Sequence, residues 1–148
     1  MTAFTRKASA AWDGELTKGK GQISLGSGAF SGPYSFNSRF GEEKATNPEE
    51  LIGAAHAGCF TMALSAALTG AGKPPQHIET NAEVTIEKES GGFTIREITL
   101  TTVGIVPGMT AEQFLEMAEA AKATCPVSRA LTGVKITLSA HLQEPSVA

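Results

Sequence analysis

The sequence predicts an α+β domain of order β-β-β-α-β-β-α-β, and three observations carry that expectation. Short alternating runs parted by glycine turns fill the first third, two long segments carry helix caps, and a hairpin and a closing strand alternate with those helices. At 148 residues the chain has the length of one ordinary domain, so a single domain over residues 1–148 is expected.

The β-rich start comprises residues 5–13, 19–26 and 30–36. Gly14 opens the first connection, and Gly26-Ser27-Gly28 and Ser31-Gly32-Pro33 interrupt the later runs. Arg39 closes this region beside a polar stretch, residues 41–46, that reads as a loop. The next helix is strongly signalled: Asn47 is a good N-cap, Pro48 occupies the first helical position where its missing N–H costs nothing, and Glu49 and Glu50 place acid on the positive end of the dipole. Glu50 sits where a capping box needs it. The helix runs to about residue 69, where Gly70, Gly72 and Pro74-Pro75 end it.

Residues 81–88 alternate Val84 and Ile86 with Glu83, Thr85 and Glu87. The turn at 89–92 supplies glycine, and residues 93–106 return, which makes a hairpin. Thr110 and Gln113 fit a capping box for a second helix with an apolar stripe that includes Phe114, Leu115 and Ala118, and it breaks at Thr124-Cys125-Pro126 before a helical restart. Residues 134–142 alternate as a final strand.

Composition excludes several classes of function. Twelve basic and fifteen acidic residues give a net charge of -3 with no basic block, so nucleic acid is not an expected partner. Residues 51–72 have the apolarity of a membrane span but are rich in alanine and carry His56, Thr61 and Ser65; they read as a buried helix, with no membrane partner. No secretory n-region or h-region follows Met1, so a cytoplasmic location is expected. The helix from 48 to 69 is apolar on every side, and one sheet with one further helix covers only part of it. A second copy of the chain is the economical cover, and the small residues from Gly53 to Gly58 permit two such helices to approach closely.

The chemistry rests on two cysteines, Cys59 and Cys125. An ordinary thiol near pKa 8.5 is only roughly 3% thiolate at neutral pH, so reactivity requires a nearby cation or helix end. A pair of buried hydrophobes is one reading. In a cytoplasmic protein a reversible redox pair fits better than a permanent staple. A metal site from His56, Cys59, Cys125 and either His77 or His141 is a third, without the tight spacing of zinc ligands. His56 reads as a packed core histidine before a base.

The thirteen residues Asn47 to Cys59, the tetrad Cys125-Pro126-Val127-Ser128, and the run Tyr34-Ser35-Phe36-Asn37-Ser38-Arg39-Phe40 resemble the osmotically inducible protein C (OsmC) family of hydroperoxide reductases. The resemblance covers residues 7–142 and favours the OsmC branch over the organic hydroperoxide resistance branch, because the arginine falls late, at Arg39. It implies an intertwined homodimer with two central antiparallel helices wrapped by β-sheets and active sites at the subunit interface. It also implies reduction of an organic hydroperoxide to an alcohol at the expense of two thiols, with no haem, metal, flavin or other cofactor, and a dithiol or dithiol-carrying protein as reductant. By the same resemblance Cys59 is the nucleophile that becomes a sulfenic acid, Cys125 the thiol that resolves it as a Cys59–Cys125 disulfide, Arg39 the cation that steadies the thiolate, and Glu49 the carboxylate that holds Arg39.

Two tensions accompany this reading. Cys125 precedes Pro126 at a helix start, so the dipole alone names it the more acidic thiol; a desolvated arginine, able to shift a pKa by ~1–3 units, is what favours Cys59. Glu49 and Cys59 lie ten residues apart on one helix, about 15 Å in rise and roughly 80° in azimuth, so Glu49 and Arg39 are expected to serve Cys59 of the other subunit, with antiparallel helices crossing near residue 54. A different class of function uses the same cysteines: a non-catalytic thiol sensor, or a module that binds a small apolar ligand. It is distinguished by consuming about one equivalent of peroxide instead of many.

Overall fold

The structure, a computed structural model, describes residues 2–145. It is α+β, with two three-stranded sheets and two long helices, in two compact units, one ending at Leu51 and the other beginning at Ile52.

The first unit is an antiparallel meander of β1 (Ala8–Asp13), β2 (Lys20–Leu25) and β3 (Ser31–Tyr34). Gly21 is required there: a Cβ on it would lie 2.4 Å from the Tyr34 ring and 2.7 Å from Trp12, whose rings pack edge to face at 5.4 Å. The strand expected through residue 36 stops at Tyr34, and a five-residue helix, α1 (Phe36–Phe40), takes over. Its cause is local: Ser35 and Ser38 form a reciprocal capping box.

Helix α2 (Pro48–Gly70) continues from the first unit into the second. At its start the Glu50 N–H donates to Asn47 Oδ1, as an N-cap requires, but the Glu50 carboxylate accepts from the Thr46 hydroxyl, where a capping box would turn it to the cap backbone. At its end the Lys73 N–H bonds the Leu68 carbonyl and the Gly72 N–H that of Thr69, with Gly72 at φ +79°, which is a Schellman motif.

In the second unit β4 (His77–Glu89) and β5 (Gly92–Ile105) form the expected hairpin, β4 starting four residues earlier than the alternation indicated. After β5 come α3 (Ala111–Thr124), capped by Thr110 and Gln113 as expected, the short helix α4 (Pro126–Ala130), and β6 (Lys135–Leu142), which pairs with β5 in parallel. A parallel neighbour needs a crossover, and α3 with α4 provides it. Phe60, Leu64 and Leu68 of α2, Ile98 and Leu100 of β5, and Phe114 and Ala118 of α3 make the core. Phe114 lies so close to β5 that a Cβ on Gly104 would meet its ring at 2.6 Å.

Helix α2 is long and apolar enough to cross a membrane, with a mean hydropathy of 1.6. Its pattern is one-sided, however. Gly53, His56, Phe60, Leu64 and Leu68, spaced by three or four, are buried, whereas Ala54, Gly58, Met62 and Ala66, spaced by four, are exposed. Met62 is 76% exposed. One chain covers one face of this helix and leaves an apolar stripe of small residues bare.

Candidate active site

In the first unit an ion pair is built by the join between α1 and α2. The Ser38 hydroxyl donates to the Thr46 carbonyl at 2.7 Å, the Asn47 amide to the Ser38 carbonyl at 3.3 Å, and the Thr46 N–H to the Pro33 carbonyl at 3.1 Å. These bonds tie the short helix to the cap of the long one. They bring Arg39 against Glu49: Arg39 Nε lies 3.0 Å from Glu49 Oε1 and 3.2 Å from Oε2, and Nη2 lies 2.6 Å from Oε1. Glu49 is 6% exposed and the Arg39 side chain 36%. The guanidinium also sits 5.2 Å from the Phe40 ring centroid. With Nε and Nη2 held by the carboxylate, the fork is fixed in direction and Nη1 remains to serve another partner.

The second unit contains both thiols. Cys59 is partly exposed on α2, and Cys125 is fully buried at the junction of α3 and α4; both are free, and they lie close enough for each to shift the ionisation of the other. Burial pushes the Cys59 pKa up, and the neighbouring Cys125 thiol adds to that, against a weaker pull from the Val127 N–H. Burial opposes ionisation of Cys125 too, but the Cys59 thiol, the N–H and hydroxyl of Ser128 and the N–H of Val127 together bring its pKa below the ordinary value. Within one chain Cys125 is thus shifted toward the thiolate and Cys59 away from it, with the Cys59 thiol the largest favourable influence on Cys125 and the N–H groups at the start of α4 adding to it.

A third polar pair lies beside the thiols and was not legible in the sequence. His56, one turn before Cys59, is completely buried, and its Nε2 lies 2.7 Å from the hydroxyl of Ser128, one turn after Cys125. His56 is thus the packed histidine expected, with a polar partner that sequence spacing did not disclose. His77 stands on β4, and His141 on β6 bonds Ser139. Among the described residues no cluster of three or more His, Cys, Asp or Glu is arranged to hold a metal ion. Phe60, next to Cys59 in the chain, belongs to the core at 0% exposure, whereas Met62 faces outward.

Two neighbouring free thiols, one on a long apolar helix and one at the junction of α3 and α4, within an α+β fold, define a class of cysteine redox protein, and comparison identifies which. Residues 41–139 match the OsmC-like protein family, a span that takes in Glu49, Cys59 and Cys125 and begins two residues beyond Arg39. The chain is 48% identical to peroxiredoxin OsmC of Escherichia coli (strain K12), over 93% of its own length and 96% of that protein. It is 33% identical to organic hydroperoxide resistance protein OhrA of Bacillus subtilis (strain 168), over 65% and 67% of the two chains. The crystal structure of an organic hydroperoxide resistance protein from Elizabethkingia anophelis superposes with a TM-score of 0.76 at 26% identity, covering 97% of this chain and 99% of that one. The chain belongs to the OsmC family, and the higher identity on the OsmC side agrees with the branch indicated by the position of Arg39.

Proposed function

We propose that this chain is a thiol-dependent peroxidase that reduces organic hydroperoxides to alcohols, with the whole chain acting as one OsmC-like domain in a cytoplasmic homodimer. The observation that carries the reading is the pair of free, neighbouring thiols, Cys59 and Cys125, in a chain 48% identical to a peroxiredoxin. Cys59, the more accessible sulfur, attacks the outer oxygen of ROOH as thiolate. The O–O bond breaks, the alkoxide takes a proton and leaves as ROH, and Cys59 is left as sulfenic acid. Cys125 then attacks that sulfur, the S–O bond breaks, and water departs as the disulfide forms. A dithiol, free or carried on a protein, reduces the disulfide and closes the cycle.

The first step needs a cation that the surroundings of Cys59 do not provide, since burial raises its pKa. We assign that role to Arg39, oriented by Glu49, from the second subunit. Ten helical residues between Glu49 and Cys59 amount to about 15 Å of rise, too long for one guanidinium to touch both within a chain. Two α2 helices crossing antiparallel near Ala54 bring Glu49 of one beside Cys59 of the other. The exposed stripe of Ala54, Gly58 and Met62 supports that crossing, because it is apolar, narrow and otherwise uncovered. Peroxide consumption with a dithiol donor tests the function: many equivalents per subunit are expected, and a single equivalent would instead identify a sensor.

A further inference from the structure

His56 and Ser128 form a buried polar pair beside the thiols that the reaction above leaves unused. They lie 72 positions apart, yet each stands one helical turn from a cysteine: His56 before Cys59 on α2, Ser128 after Cys125 on α4. Their 2.7 Å bond is fully enclosed on the histidine side, and the other ring nitrogen, Nδ1, is buried without a partner among the described residues. That missing partner fixes the direction of the bond. Burial pushes the His56 pKa down, so the ring is neutral and carries one N–H. An orphaned N–H is the costlier group to bury, so the bare nitrogen is Nδ1 and the proton sits on Nε2. Nε2–H then donates to Ser128 Oγ, and the hydroxyl must direct its own hydrogen elsewhere. The Cys125 sulfur, on the residue that caps the start of α4 one turn before Ser128, is the group whose ionisation that hydroxyl favours.

We propose that Ser128, held in one orientation by His56, is a positioning residue that donates its hydroxyl hydrogen to the Cys125 sulfur and thereby sets how fast Cys125 closes the disulfide on oxidised Cys59. The inference rests on the peroxidase reading above. In that step Cys125 S–H and Cys59 S–OH become S–S and water: the Cys125 sulfur is oxidised, the Cys59 sulfur is reduced, and the Cys125 proton leaves with the departing hydroxide. A hydroxyl already pointed at Cys125 stabilises the developing thiolate without reorganisation. The two sulfurs are then activated from different sources, Cys59 by an arginine of the partner and Cys125 from within its own chain. Among the described residues the titratable groups facing Cys125 are Cys59 and, through Ser128, His56, both on α2. Its other neighbours in the core are apolar, among them Ala118 and Ala121 of α3.

The test is a competition inside the oxidised enzyme. Increasing organic hydroperoxide drives Cys59 sulfenic acid on to sulfinic acid unless Cys125 arrives first, and mass spectrometry gives the peroxide concentration at which half the protein is over-oxidised. Loss of a hydrogen bond to a charged group corresponds to roughly a tenfold slower closure, so Ser128→Ala and His56→Leu should lower that concentration about tenfold, and Ser128→Thr should restore it. A Ser128→Ala half-point equal to that of the wild type would overturn the inference. A second measurement does not depend on turnover. In a Cys59→Ser background Cys125 is the remaining thiol, and ultraviolet thiolate absorbance reports its titration; Ser128→Ala should move the midpoint upward, and an unmoved midpoint would also overturn the inference. A moved midpoint, together with a wild-type protein that consumes no more than one equivalent of peroxide, would sink the peroxidase reading while supporting the Ser128–Cys125 contact.

Discussion

Arg39 and Glu49 are joined through both Nε and Nη2 of the guanidinium, and Glu49 makes this contact from the first turn of the same helix that carries Cys59. The carboxylate is the more buried partner, which makes it the fixed post and the arginine the directed arm. Glu49→Gln keeps the shape and removes the charge, and kcat/KM for organic hydroperoxide is expected to fall roughly tenfold through misdirection of Arg39. Arg39→Ala should cost activity more heavily. It also leaves a buried carboxylate without its donors, so urea unfolding should show a loss of about 1–3 kcal/mol. Arg39→Lys, a point charge without the fork, should recover the stability in part and the activity poorly.

The two cysteines should separate cleanly by their products. Cys59→Ser is expected to abolish peroxide consumption. Cys125→Ser should permit one reduction event and then accumulate added oxygens at position 59, visible by mass spectrometry after excess peroxide. Added oxygens at Cys125 in a Cys59→Ser protein that still turns over would reverse the roles.

Organic hydroperoxides should be preferred to hydrogen peroxide. The ground is the apolar setting of Cys59, which like Ile52, Val127 and Leu131 is partly buried against the core, and the exposed Met62 one turn further along α2. Equal kcat/KM values, or a preference for hydrogen peroxide, would contradict this.

His56 gives a pH dependence of stability whose sign follows from its burial. Its folded pKa lies below the ordinary value of about 6.5, so as pH falls through that value the unfolded chain takes up a proton that the folded chain refuses. Stability is therefore expected to be unaffected by this group above neutrality and to decline as the medium is acidified below about pH 6.5. His56→Gln should flatten that decline in denaturant titrations at stepped pH. A wild-type decline that persists unchanged in the variant would assign it to other groups.

Much of the fold was legible because its signals are local. The N-cap and N1 proline at Asn47 and Pro48 announce α2, Thr110 and Gln113 announce α3, and glycine at 91 and 92 turns the hairpin. Helix α1 was missed because five residues are too few to show a period; its signal was the Ser35–Ser38 capping spacing. Alternation in β6 carries no direction, so its parallel pairing with β5 had to come from the crossover. The cysteines were conspicuous as a pair, and the Arg39–Glu49 contact followed from a family resemblance. The His56–Ser128 bond is a long-range meeting of common residues, which no spacing rule encodes.

The central claim is that each active site is assembled from two chains, with Cys59 from one and Arg39 and Glu49 from the other. Heterodimers of a Cys59→Ser subunit with an Arg39→Ala subunit, purified by differential tags, test it most directly. One site then combines the intact Cys59 of the Arg39→Ala chain with the intact Arg39 and Glu49 of its partner, and peroxide consumption about half that of the wild-type dimer is expected. A heterodimer no more active than either parent homodimer would contradict the claim.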